Sequence, residues 1–210
     1  MARIGVFGGT FDPPHLGHLV LAEAALDQLA LDRVLWVVAG QSPLKLHRAA
    51  SPVELRLRLV EAAIAGHAQF ALSRADVDRP PPHYSVDTVE IIGRERPEAE
   101  LYFVMGEDSL RDLPRWRRPQ DLAARCQLAV FQRPGVETDL TQLETAIPGL
   151  ASRVQWIIAP EIDIASRDVR QRVRAGRSIR YLVPEPVREM IEQYGLYRAA
   201  TARPADASQP

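Results

Sequence analysis

The segment "GGTFDPPHLGHL" (8–19) gathers two glycines, two prolines and two histidines between apolar runs. Glycines leaving a buried strand accept positive φ and let a backbone approach a ligand closely. A helix that begins a few residues later offers unpaired N–H groups to an anion. Gly8, Gly9 and Thr10 therefore suit a phosphate, although a plain strand-to-helix turn uses the same glycines. His15 and His18 lie three apart at the helix start, so both rings can face one side of its first turn. Imidazoles there can donate hydrogen bonds to phosphate oxygens, and a bound polyphosphate would favour their charged forms against the helix dipole. An HxxH pair also supplies two ligands of a metal site, but no neighbouring Cys or carboxylate gives an obvious third. A third reading, core histidines, sits poorly with Gly17 between them, which argues for close backbone approach. The whole string points to phosphate.

Other residues stand out by type. Lys45 is the single lysine among 26 basic residues; it suits a mobile phosphate contact or a solvated loop position. Asp108 follows the strand-like "LYFVM" and reads as an acceptor for a ribose hydroxyl or as a helix N-cap. Trp116 lies in the polar, arginine-rich "LPRWRRP", where an aromatic face can stack on a flat ring. Trp36 and Trp156, inside apolar strands, read as core. Cys126, the lone cysteine, excludes an internal disulfide and reads as a buried thiol.

The elements that must position these residues alternate. Strands are expected at 3–7, 33–39, 69–74, 101–105, 126–132 and 153–159. Helices are expected at 16–31, 51–66, 85–95 and around 166–175 and 184–194, with helical material between 105 and 126. Ser51, Pro52 and Glu54 form a capping-box pattern with a proline at the first helical position, and Ser85 suits the N-cap of the next helix. Alternation of this kind predicts an α/β fold, a doubly wound parallel sheet. Ligands then bind beyond the carboxyl ends of the strands at the switch in strand order, where the 8–19 segment lies. Residues 1–198 are expected to form one domain and 199–210 a disordered tail.

Composition agrees with an ordinary globular chain of 210 residues, 46% hydrophobic and 25% charged. A formal net charge of −1 suggests no broad nucleic-acid or membrane-binding face. No apolar run of membrane-spanning length occurs. "MARIGVFGG" enters a strand with no signal-peptide h-region, so the cytoplasm is the expected location. Nothing in the sequence sets the oligomeric state.

The 8–19 string resembles the signature of the HxGH nucleotidyltransferase superfamily, and the fuller pattern resembles the nicotinate-nucleotide adenylyltransferases of bacterial NAD synthesis. "VVAGQSPLK" (37–45), "GEDSLRDLPRWRRP" (106–119), "FQRPG" (131–135), "IASRDVR" (164–170) and "YLVPEPVREMIEQYGLYR" (181–198) are similar to further family segments, in the expected order. The resemblance implies a Rossmann-like nucleotidyltransferase fold and transfer of AMP from ATP to nicotinate mononucleotide, giving nicotinate adenine dinucleotide and pyrophosphate. It implies His15 and His18 as catalytic residues. ATP would meet Gly8, Gly9, Thr10, Phe11, His15, His18, Gly106, Asp108, Ser166 and Arg170, with Mg²⁺ travelling on the nucleotide. Nicotinate mononucleotide would meet Lys45, Tyr84, Ser85, Trp116 and Arg133. The nucleophile is already a phosphate, so no general base is needed, which agrees with the lack of a Ser-His-Asp set or carboxylate pair. Arg167 and Ala165 stand where the family favours threonine and serine; Arg167 either keeps a phosphate contact by another atom or points to solvent. The nearest rivals are a pantetheine-phosphate adenylyltransferase and, in another class, a non-catalytic nucleotide sensor.

Overall fold

The computed structural model describes residues 1–40, 50–132 and 138–198. Six strands form one sheet: β1 (Ala2–Gly9), β2 (Arg33–Val38), β3 (Phe70–Ser73), β4 (Ala99–Gly106), β5 (Gln127–Phe131) and β6 (Val154–Ile157). Their order is β3-β2-β1-β4-β5-β6, and every neighbouring pair is parallel. The helices are α1 (Leu16–Gln28), α2 (Val53–Ile64), α3 (Ser85–Glu95), α4 (Glu107–Asp112), α5 (Pro119–Arg125), α6 (Leu140–Ala146), α7 (Ser166–Arg174) and α8 (Glu185–Gln193). The expected doubly wound sheet is thus present.

Side-chain alternation along the strands builds two cores. On β4, Leu101, Phe103 and Met105 enter one apolar cluster with α3, α4 and α5. Tyr102 and Val104 enter the other, with α1, α2 and α8. Both faces of the sheet are covered, which is why the strands read as continuous apolar runs. The chain winds outward through β1, β2 and β3, then crosses back to β4. Gly9 and Gly106 therefore close the neighbouring strands β1 and β4, at the switch in strand order, the place of the ligand crevice in such sheets.

Several local expectations change. The α2 N-cap is Pro52, not Ser51, and no side chain caps it. Ser51 instead donates its backbone N–H to Asp12 Oδ2 at 3.1 Å, a tertiary bond that outcompetes the local box. Tyr84, not Ser85, is the N-cap of α3. Helix α1 ends at Gln28, three residues early, because Ala30 turns to φ 46°. Trp156 is 38% exposed rather than core, since β6 is an edge strand with outward-facing central residues. Trp36 is fully buried as expected, and Cys126 is buried with its thiol pushed up to about 12 by desolvation. Among the described residues no helix is long and apolar enough to cross a membrane. The expected tail, 199–210, lies outside the described residues.

Candidate functional site

The crevice is built on the 10–15 loop between β1 and α1. His15 is the N-cap of α1, and His18 occupies the third helical position. Their rings stack at 3.6 Å with an interplanar angle of 30°, so both imidazoles do face one side of the first turn. The His15 backbone N–H donates to His18 Nδ1 at 3.2 Å. That bond assigns the proton of a neutral His18 to Nε2, the distal nitrogen. His15 is 7% exposed, and burial lowers its pKa to about 4. Its Nδ1 is buried with no hydrogen-bond partner. Two stacked rings, one with its Nδ1 already used, do not converge on a shared ion. Among the described residues no group of three or more His, Cys, Asp or Glu converges either.

The glycines divide into two kinds. Around Gly8 and Gly106 an added Cβ would meet nothing within 4 Å, so the ends of β1 and β4 present open backbone. At Gly9 a Cβ would fall 2.7 Å from the Phe11 ring, and at Gly17 3.1 Å from the His15 ring. These two glycines make room for the protein's own aromatic rings. Phe11 is 2% exposed and adopts φ 48°. Its ring lies edge-on to His18 at 5.0 Å, so its backbone is the part left to meet a ligand.

The carboxy-terminal half clasps this loop. Ser166 donates its hydroxyl to the Pro13 carbonyl at 2.8 Å, and Arg170 Nη1 donates to the Asp12 carbonyl at 2.6 Å. Tyr197 donates its hydroxyl to Asp12 Oδ1 at 2.7 Å. The Leu16 N–H reaches the Leu182 carbonyl at 3.0 Å. Arg167 resolves to solvent: its side chain is 77% exposed, beside Asp168. Arg56, Asp12 and Tyr197 were not singled out by sequence reasoning. The signal for Arg56 was present, because it shares the stripe of Leu59, Val60 and Ala63 on α2, where a charge is out of place.

The other side of the crevice is more open. Asp108 is not an N-cap; Gly106 takes that role for α4, and Asp108 pairs with Arg111 in the first turns. Trp116 is partly buried against the second core, with Phe103 edge-on at 6.0 Å and its indole N–H buried without a partner. Tyr84 packs nearby on the same cluster, and the Arg117 guanidinium lies 6.0 Å from its ring centre. Ser85 opens α3, and Asp87 is drawn to Arg118 and, at 3.9 Å, Arg79. Lys45 and Arg133 lie outside the described residues. A groove of about 490 Å³ bordered by Leu35, Ser73, Arg79 and Glu95 sits on the β3 side and contains neither histidine.

Residues 6–172 match the model of the cytidylyltransferase-like family. A protein of Thermomicrobium roseum named "Probable nicotinate-nucleotide adenylyltransferase" is 47% identical over 96% of this chain and 94% of its own length. A Thermus thermophilus protein of the same name is 42% identical over 93% of this chain and all of its own. The fold is also that of a Plasmodium falciparum nicotinic acid mononucleotide adenylyltransferase, solved as complexes with APC and with NaAD. Each superposes with a TM-score of 0.75 over 94% of this chain and 98% of the other, at 16% and 17% identity. With a family model spanning most of the chain and full-length relatives well above 30% identity, this chain belongs to the nicotinate-nucleotide adenylyltransferases of the cytidylyltransferase-like family.

Proposed function

We propose that the protein transfers AMP from ATP to nicotinate mononucleotide, giving nicotinate adenine dinucleotide and pyrophosphate. One observation carries the site-level reading. The stacked His15–His18 pair sits at the head of α1, with His18 Nδ1 accepting from backbone, which makes Nε2 the nitrogen of a neutral His18 that donates. In the reaction a phosphate oxygen of nicotinate mononucleotide attacks the α-phosphorus of ATP. The bond from that phosphorus to the bridging oxygen breaks, and pyrophosphate leaves with the electron pair. No proton has to be removed from the nucleophile. What the protein supplies is alignment and charge stabilisation.

In this reading His18 Nε2–H donates to an α-phosphate oxygen. An approaching polyphosphate raises the His15 pKa from its depressed value, its negative charge making up for the hydration that burial removed. Gly8 and Gly106 give the nucleotide its open backbone floor, and the Gly9–Thr10–Phe11 backbone borders it. Arg170 has further N–H donors for the β- and γ-phosphates beyond the one given to Asp12. The single Ser166 hydroxyl proton is committed to Pro13, so its phosphate contact requires rotation or falls to its backbone N–H at the start of α7. Asp108 accepts from a ribose hydroxyl after yielding Arg111. Mg²⁺ enters as part of the nucleotide substrate, ligated by phosphates and water, which suits a hard cation that dehydrates reluctantly. Tyr84, Ser85 and Trp116 hold the pyridine nucleotide, joined by Lys45 and Arg133.

Initial-rate assays of pyrophosphate release test the reading. Release should require ATP and nicotinate mononucleotide together. ATP binding with no release under any mononucleotide would make the protein a nucleotide sensor. Release driven by phosphopantetheine instead would make it the pantetheine-phosphate enzyme.

A further inference from the structure

Arg56 is 2% exposed, yet its guanidinium makes no direct ion pair among the described residues. It donates only to carbonyls: Nε to Ser51 at 2.9 Å, Nη1 to Thr10 at 2.9 Å and Ala39 at 2.8 Å, and Nη2 to Gly40 at 3.2 Å. Burying a guanidinium is costly unless its donors are satisfied. Three of these carbonyls, of Thr10, Ala39 and Gly40, directly follow β1 and β2, where the loops of the site begin, and the fourth, of Ser51, directly precedes α2. The nearby Asp12 charge partly offsets the burial.

The consequence is geometric. A trans peptide sets its C=O and N–H on opposite sides. Fixing the Thr10 carbonyl on Arg56 therefore turns the Phe11 N–H away from Arg56. Phe11 itself holds φ 48°, a conformation that a bulky non-glycine residue keeps only when its surroundings impose it. Gly9 leaves the Phe11 ring its seat, and that ring lies edge-on to His18 at 5.0 Å. A continuous path thus runs from the Arg56 guanidinium through Thr10 and Phe11 to the His18 imidazole.

We propose that Arg56 is a positioning residue for adenylyl transfer, setting the Phe11 backbone and, through the Phe11 ring, the direction of His18 Nε2–H. The role rests on the reading of His18 given above, but the path itself can be tested without turnover. Arg56→Lys keeps the charge and loses the fork of donors that spans four carbonyls. At a temperature well below its melting point, this variant should show a kcat at least tenfold lower, with the KM values for ATP and nicotinate mononucleotide within threefold of native. Its His18 ring resonances should move in NMR spectra while those of His67, which pairs with Glu23 and stacks on Phe70, stay in place. Phe11→Leu, which leaves Arg56 intact, should show the same split between kcat and KM. Combining the two changes should lower kcat little further than either alone, because both cut one path.

A folded Arg56→Lys variant with kcat within twofold of native, or with unmoved His18 resonances, would overturn the proposal. So would losses that multiply in the double variant. If Arg56→Lys does not fold, Phe11→Leu decides: native kcat there breaks the path. If the native protein shows no transfer activity, the functional reading fails, and the His18 resonances of Arg56→Lys still decide whether Arg56 positions the ring.

Discussion

The two sides of the crevice are built differently. On the β1 side Phe11, Asp12 and His15 are 2%, 4% and 7% exposed, and part-buried hydrogen bonds from Arg56 and Tyr197 hold the loop. On the β4 side Asp108 and Arg111 are each 51% exposed and pair with each other at the surface, and Arg118 pairs with Asp87 and Asp121 at 40% exposure. The first side has the character of a fixed electrostatic device. Groups that stabilise a transition state gain most when their orientation is set before the substrate arrives. The Asp108–Arg111 and Arg118 pairs of the second side are surface ion pairs worth little individually, so those side chains can adjust when a ligand enters. Damage to the first side should therefore appear in kcat, and damage to a residue of the second in the KM of the substrate it meets.

The largest expected effect follows from His18. If it acts on the transition state, His18→Ala should lower kcat on the order of 10²-fold or more, with a smaller change in ATP affinity. A near-normal kcat with weakened ATP binding would erase the contrast between the two sides. Next comes His15, whose pKa is depressed to about 4 by burial. The unfolded chain takes up that proton near pH 6.5, before the folded protein does. Stability is then fully present above about pH 6.5 and declines as the pH falls toward 4. Between pH 7 and 5 the loss from this group is about 2 kcal/mol at most. Thermal melts of native protein and His15→Gln over that range should show the variant losing less; parallel losses would mean that His15 is not buried neutral.

How far the sequence reaches also differs between the two sides. Backbone periodicity and the 8–19 string placed the sheet, the switch crevice and the histidine pair, because each rests on short-range spacing. The clasp was not legible in the same way. Asp12 meets Tyr197 across 185 residues and Ser51 across 39, and no local pattern encodes such pairs. Ser51 and Ser85 look like N-caps by type, but tertiary bonding and one-residue register put Pro52 and Tyr84 there. Trp156 misled for a related reason: an apolar strand read alone does not say that it lies at the sheet edge.

Smaller effects test the second side. Trp116→Ala should raise the KM for nicotinate mononucleotide about tenfold and leave that for ATP nearly unchanged, on a stacking scale of about 1–3 kcal/mol. Equal damage to both substrates, or a lower melting temperature with normal kinetics, would make the tryptophan structural, in keeping with its contact to Phe103. The smallest is the choice between acid and amide. The start of α3 at Ser85 offers N–H groups to a ring carboxylate, while Asp87 is drawn aside by Arg118. An amide would leave one donor facing its NH₂ group, so kcat/KM should favour the acid at least tenfold, roughly 1.4 kcal/mol. Equal use of both mononucleotides would remove α3 from substrate selection.

In the proposed reaction the site aligns two phosphates for direct displacement and contributes no nucleophile of its own. The stereochemical course at the α-phosphorus tests it most directly, with an ATP analogue made chiral there by sulfur and nicotinate mononucleotide as acceptor. A single in-line displacement inverts the configuration, and inversion is the expected result. Retention would mean two displacements through a covalent adenylyl-protein intermediate, with His18 or His15 as the attacking group, and would rule out direct transfer.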